Sequence, residues 1–223
     1  ITEFMNKDIS QDIKEWIQLL ISDNPDWNIN LLDKNSINSF IDLDLNRSEF
    51  QNLCIAHKSD LIRLGLLEKY GGVWDDASLF CLIPLNKWLF KYLKSGIFLF
   101  HSNTKLTVAA NWFIAAESNH KTIIRVNEML NYFWIKNKFP KLNIFSKSIR
   151  KIISPILNIN KTTSRIWLNA IFTKFLKIYP YQIFYFLFEI ITSKEFEHYK
   201  CWEKTPKLNK YICWPYQEPT SPP

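Results

Sequence analysis

A chain of 223 residues, 47% of them hydrophobic, is long enough to close one sizeable core, and a single domain is expected. Cys54, Cys81, Cys201 and Cys213 stand singly, with no Cys-x-x-Cys pair and no histidine at finger spacing, so neither a zinc knuckle nor a disulfide framework is suggested. The formal charge of +7 is lopsided: residues 129–188 contain no Asp or Glu but carry Lys136, Lys138, Lys141, Lys147, Arg150, Lys151, Lys161, Arg165, Lys174 and Lys177, a composition that attracts nucleic acid, anionic lipid or sugar phosphates.

In chain order, Ile13, Trp16, Ile17, Leu20 and Ile21 recur at helical spacing behind Asp8 or Ser10 as N-cap, and Asn24-Pro25-Asp26 ends the helix they predict. No basic segment followed by an apolar run opens the chain, so a cytoplasmic protein is expected. Trp27, Ile29 and Leu31 alternate with polar residues as a half-buried strand does, and a short helix is predicted from Asn35 or Ser36 to Ile41. A stronger helix covers 59–70, closed by Gly71 as a left-handed cap. Strands are predicted at 73–74, 79–83, 97–100 and 112–116, and helices at 85–94 and 121–136. Such alternation argues for an α/β layer structure with ligands at the strand ends. Residues 166–192 are dense in apolar and aromatic side chains, but the uninterrupted piece 183–187 is far below the ~20 residues of a membrane span, so core or interfacial helices are expected there.

The chemistry concentrates in residues 56–78. Asp60 and Arg63 stand three apart on the predicted helix and share a face. Gly71-Gly72 then turns the chain into a strand that ends on Asp75 and Asp76. A carboxylate and a guanidinium on one side of the turn, with acidic oxygens on the other, suit a hard divalent cation holding a diphosphate. Each half has a bland reading, a solvated salt bridge and a turn; their pairing across a Tyr-Gly-Gly turn is the informative part.

The segment resembles the sugar-binding region of DXD-containing glycosyltransferases, in particular the capsular polysaccharide synthesis proteins, which are similar to yeast mannosyltransferases and clostridial glucosylating toxins. That pattern runs Ser-Asp-x-x-Arg, then Tyr-Gly-Gly-(Val/Ile)-(Trp/Tyr)-x-Asp-x-(Asp/Thr/Ser), met here by Ser59, Asp60, Arg63, Tyr70 to Trp74, Asp76 and Ser78. Residues 24–32, 111–116 and 181–206 resemble further segments of the family in the same order, so the resemblance covers most of the chain. It implies an α/β glycosyltransferase A-type nucleotide-sugar-binding fold with a helical, aromatic-rich C-terminal part, residues 1–130 forming the nucleotide-sugar core and 131–223 a basic, aromatic part facing acceptor or membrane. It implies a donor site of Asp60, Arg63, Gly72, Trp74, Asp75, Asn111 and Trp112, and a metal site of Asp76 and Ser78 for Mn2+ or Mg2+. Ser78 stands where many relatives have a second Asp, and Asp75 is expected to compensate in part.

The implied reaction is metal-dependent, retaining transfer of a hexose from a nucleoside diphosphate sugar to a glycan or lipid-linked acceptor in surface polysaccharide synthesis. The acid-free basic stretch 129–188, with its aromatic neighbour, adds the expectation of a place on the cytoplasmic side, peripheral to the inner face of the plasma membrane. The alternative is a non-catalytic nucleotide-sugar or glycan-binding module on the same fold. Nucleic acid is not an expected partner, since no recognised motif accompanies the basic stretch. Two family features are missing, a first strand before Ser10 and a late histidine after Tyr211, which implies truncation or natural loss. No Ser/His/Asp or Cys/His arrangement is visible. His57 is expected to face phosphate, and His101, His120 and His198 to be surface or satisfied core residues.

Overall fold

The computed structural model describes residues 11–33, 36–76, 79, 83–102 and 104–208. The first helix, α1 (Gln11–Asp23), buries Ile17 and Leu20 and leaves Ile21 exposed. Asn24 ends it: its side-chain amide donates to the Leu20 carbonyl at 2.8 Å, and its Oδ1 accepts from the Leu85 N–H at 2.7 Å. The N-cap predicted at Asp8 or Ser10 lies outside the described residues.

The strand predicted at 27–31 does not form. Trp27 and Ile29 are half-buried between exposed Asn28 and Asn30, as the alternation implies, but only Leu32 makes a bridge. The Trp27 indole N–H donates instead to Asn86 Oδ1 at 2.7 Å, tying this segment to the turn after Pro84 by a side-chain contact. Two short helices follow, α2 (Ile37–Phe40) and α3 (Ser48–Gln51).

Helix α4 (Ile55–Tyr70) starts four residues before the predicted 59 and is buried on more than one side. Leu61, Ile62, Leu64 and Leu67 are buried, and so are His57, Asp60 and Arg63. It is a central helix, not a surface one with a solvated polar face. Gly71 ends it with φ +67° and ψ −153°, a positive φ outside the left-handed helical region that was predicted. A Cβ at Gly71 would lie 2.5 Å from the Ser118 nitrogen, so close backbone approach as well as φ demands glycine there.

Three antiparallel strands follow in the order β1 (Gly72–Asp75), β3 (Ala109–Ala116), β2 (Ile97–His101). The sheet is therefore not built of parallel βα units. Leu79 and Ile83, the ends of another predicted strand, are not in a strand, and the residues between them lie outside the described set. The helix predicted at 85–94 is broken into a 3-10 turn (Leu85–Lys87) and α5 (Leu89–Tyr92) at Trp88, whose backbone leaves the helical region at φ −137°. That break lets Trp88 pack on Phe98, Phe100 and Phe113, with ring centroids 5.5–5.8 Å apart.

The sheet separates two cores. On one face Leu99 and Ile114 meet α4, α6 (Lys121–Asn137) and α9 (Ile183–Lys194); on the other, Phe98, Phe100 and Phe113 pack under Leu85 and Leu89. The expected helical, aromatic-rich last third is present as α7 (Ile144–Leu157), α8 (Lys161–Ser164), a 3-10 turn (Arg165–Leu168), a π-helical turn (Ile171–Leu176), α9 and α10 (Phe196–Lys204). Ile183, Phe184, Phe186 and Leu187 are core residues of α9, and no described helix is long and apolar enough to cross a membrane. The architecture is a mixed helix and small-sheet α/β domain.

Candidate functional site

Four elements meet where the sequence places its carboxylates. The first is α4, which carries Ser59, Asp60 and Arg63 on one turn. Arg63 folds back on that turn, Nη2 donating to Ser59 Oγ at 3.0 Å and Nε to the Ser59 carbonyl at 3.3 Å, while Nε lies 3.4 Å from Asp60 Oδ1. Its Nη1 donates to the Asn111 carbonyl and stands 3.5 Å from Asp76 Oδ1. The guanidinium lies 5.0 Å from the centroid of Trp74, close enough for a cation–π contact.

The second element is β1. Residues 74 and 76 share one side of an extended chain and residue 75 takes the other, which lets the Trp74 indole N–H donate to Asp76 Oδ1 at 2.7 Å. The third is β3, where the register slips: Leu99 pairs with Ile114 but His101 with Ala109, so β3 carries extra residues between those pairs. Trp112 and Phe113 both join the Phe98–Phe100 side as a result, and Asn111 turns toward α4, where its amide donates to Asp60 Oδ1 at 2.8 Å. A bulge re-aims a side chain in this way. The fourth is α9, from which the Tyr185 hydroxyl donates to Asn111 Oδ1.

Burial sets the charges of this network. Loss of water raises Asp60 to about 6, against the pull of Arg63 and the Asn111 hydrogen bond. Burial also raises Asp76, with Arg63 and Trp74 opposing it, and raises the Tyr185 phenol to about 12, with the Asp60 charge adding to the effect. The Arg63 and Asp60 side chains are 5% and 6% exposed, whereas that of Asp76 is 31% exposed. Asp76 is thus the accessible carboxylate of the network, and Asp60 and Arg63 lie buried beneath it. An exposed salt bridge, the bland reading of Asp60 and Arg63, is ruled out by these numbers.

The remaining expected residues are placed differently. Trp74 is 3% exposed, so its ring supports Arg63 and Asp76 rather than presenting a free face. Trp112 is half-buried and stacks on Phe100 at 5.0 Å, on the far side of the sheet from Asp60. Gly72 is exposed, with φ +88° and open space where a Cβ would stand. Ser78 lies outside the described residues. His57 does not precede the helix or face a phosphate: it is 1% exposed within α4, ringed by Trp134, Tyr179 and Tyr181. Its Nε2 is 3.0 Å from the Tyr181 carbonyl and must carry the proton, so Nδ1 accepts from the Cys54 thiol at 3.2 Å. Burial lowers its pKa to about 4, and the ring is neutral. His120 and His198 are satisfied, as expected, by Ser95 and Thr122.

Asp75 does not stand beside Asp76. Its side chain turns to the other face of β1 and lines a cavity of about 620 Å³ along that strand, between Trp27, Leu32, Phe40 and Leu67. It is 6% exposed, its Oδ1 has no hydrogen-bond partner, and burial raises its pKa to about 8. Its folded pKa lies above the unfolded value near 3.9, so the native state holds the proton more tightly and stability falls as pH rises between those values. Asp75→Leu is expected to raise the melting temperature at both pH 4 and pH 9 by removing an unsatisfied buried polar group, which costs roughly 1–3 kcal/mol, and to raise it more at pH 9, where the buried carboxylate is also charged. Thermal denaturation at the two pH values checks this; an equal shift at both would show that burial does not raise the Asp75 pKa.

Reading the sequence missed Ser59, Tyr185 and Tyr181 as site residues. Tyr181 is exposed at the rim, its ring 5.6 Å from that of the buried His57, and its phenol is raised first by partial burial. Ser59 was visible in the motif, but nothing in the apolar run 183–187 singles out its one tyrosine.

A divalent cation would find one accessible carboxylate. Asp76 Oδ1 is engaged by Trp74, which leaves Oδ2 to a ligand, and among the described residues no group of three or more His, Cys, Asp or Glu could hold a metal. This donor set suits Mg2+ or Mn2+ bound through one carboxylate and the phosphates of a substrate, and does not suit an all-protein cage.

The O-glycosyltransferase braB of Annulohypoxylon truncatum is 28% identical to the chain over an alignment of 145 positions that covers 56% of this chain and 34% of the relative. The glycosyltransferase afumC of Aspergillus fumigatus is 27% identical over an alignment of 142 positions that covers 56% of this chain and 36% of the relative. The chain thus spans about a third of the length of these relatives. No solved structure matches it. The profile of one family, described as capsular polysaccharide synthesis protein, matches residues 7–154, a region that holds α4, the Gly-Gly turn, β1 and the Asn111 bulge. The chain belongs to the capsular polysaccharide synthesis protein family.

Proposed function

We propose that the protein transfers a hexose from a nucleoside diphosphate sugar to a glycan or lipid-linked acceptor, on a glycosyltransferase A-type fold and with retention of configuration. The observation that carries this reading is the buried network in which Arg63 bridges Asn111 and Asp76 over Asp60. So expensive an arrangement, a charged pair stripped of water, is suited to hold one partly exposed carboxylate in a fixed orientation. In this reading Asp76 receives the donor diphosphate together with Mn2+ or Mg2+. The cation, when bound, supplies neutralisation of charge on the departing nucleotide. Arg63 and Trp74 fix the Asp76 rotamer, Asp60 and Asn111 floor the sugar subsite, and Tyr181 stands at the rim where an acceptor enters. Catalysis then rests on positioning and electrostatic stabilisation.

A panel of nucleotide sugars, each with and without Mn2+, tests the reading through the melting temperature. A donor present at 100 times its Kd is expected to stabilise the protein by about 2.7 kcal/mol, and only with the metal. No shift with any sugar would overturn the donor site. Ser78 in place of a second carboxylate favours the non-catalytic alternative, and release of nucleotide over time from the donor that binds best separates the two.

A further inference from the structure

Helix α7 is amphipathic in an unusual way. At 100° per residue, Ile149, Ile153 and Leu157 form one arc and pack inward on a small core with Trp167, Phe172 and Phe186. Beside it Phe145, Ile152 and Ile156, at spacings of seven and four, fall within about 40° of each other and face outward at 71%, 69% and 60% exposure. The core thus covers half of the apolar sector of this helix and leaves the other half in water. A line of three large apolar side chains on one helix is a patch that marks an interaction site, unlike single exposed residues.

The charge around this patch is of one sign. Lys147 and Lys151 are exposed on the polar arc of α7, Lys141 is exposed just before it, and Lys174 and the 81% exposed Phe175 lie on the π-helical turn whose Phe172 shares the small core. Other cations of the acid-free stretch are tied down: Arg165 to Glu189 at 3.0 Å, Lys177 to the Asn137 carbonyl at 2.5 Å, and Lys136 to Tyr132. Among the described residues, Lys147, Lys151 and Lys174 face no acidic partner. Exposed aliphatic and phenyl groups beside uncompensated lysines are the composition of a helix that lies in the plane of an anionic bilayer, with its apolar arc at the headgroup boundary and its lysines within the ~10 Å Debye length of the surface.

We infer that α7 docks the protein on an anionic lipid membrane, with Phe145, Ile152 and Ile156 inserted at headgroup level and Lys141, Lys147 and Lys151 drawn to the lipid phosphates. The charge of Arg150 on α7 reaches the buried His57, one turn of α4 before Asp60, and Tyr179. Docking would bring the Tyr181 rim near a membrane-borne acceptor. The inference does not rest on the transferase reading. A protein that binds vesicles but no donor keeps the one and loses the other.

Sedimentation with phosphatidylglycerol-rich vesicles tests it. The protein is expected to pellet at low salt, to be released as salt rises, and to ignore phosphatidylcholine vesicles. Each lysine near the surface contributes roughly fivefold to partitioning, so Lys147→Gln with Lys151→Gln is expected to weaken it about 25-fold. Phe145→Ser, Ile152→Ser and Ile156→Ser together should weaken it at least tenfold without moving the melting temperature, because all three side chains are exposed. A protein that stays in the supernatant at low salt overturns the inference. So does pelleting that is unaffected by the serine variant yet competed away by soluble polyphosphate, since the basic face would then serve a polyanion and not a bilayer.

Discussion

Arg63→Ala is expected to cost about 3–5 kcal/mol of folding stability, because it leaves Asp60 buried without its counter-charge. The resemblance alone implies a donor clamp whose removal spares the fold, but a guanidinium 5% exposed, bonded to Ser59 and Asn111 and lying on Trp74, belongs to the core as well as to the site. The two roles can be parted. Asp60→Asn combined with Arg63→Met removes both charges and should recover most of the lost stability, as replacement of a buried ion pair often does. Transfer activity should stay low, by about 10²–10³-fold, because the guanidinium that bridges Asp76 and Asn111 is gone. Urea denaturation beside a turnover assay reads both quantities. Recovery of activity together with stability would reduce the pair to a structural role.

Asp76→Asn should act in the opposite sense, with large loss of function and little loss of fold. The side chain is 31% exposed, and an amide oxygen can still accept from the Trp74 indole, so the melting temperature of the free protein should move by less than the equivalent of about 1 kcal/mol. What disappears is the only formal negative charge that the described network offers to solvent. Affinity for a nucleotide sugar in the presence of Mn2+ is expected to fall at least about a hundredfold, beyond the 10–100-fold typical of losing an outer partner of a ligand. Calorimetry with and without the metal measures it. Unchanged affinity and unchanged metal dependence in the variant would remove Asp76 from the donor site.

Much of this site was legible because its parts are local. Asp60 and Arg63 share a helical turn, and the glycine pair and the period of two in β1 bring Trp74 and Asp76 to one side. That both members of the helical pair are buried was not legible, since spacing says which residues share a face and not what covers it. Asn111 was read as a contact on resemblance; its aim at Asp60 depends on a register slip against β2 that no pattern in residues 109–116 announces. The false strand at 27–31 has the alternation of a strand and even its half-burial, but a strand also needs a neighbour with free backbone groups, and that is a property of the fold. The split of the predicted helix at Trp88 has the same origin, because an aromatic cluster across the sheet outweighed local propensity.

One consequence of the His57 contact concerns the order of events in folding. The hydrogen bond from its ring to the Tyr181 carbonyl joins residues 124 positions apart, and Tyr185 reaches Asn111 across 74. Such non-local closures are made late and slowly, because their loop entropy is lost before any contact rewards it. Helix α4 is built from local contacts, but the polar network it carries is completed by Tyr185 of α9. A growing chain therefore cannot complete this network when its signature residues emerge, since Tyr185 and the Tyr181 carbonyl come only with its C-terminal third.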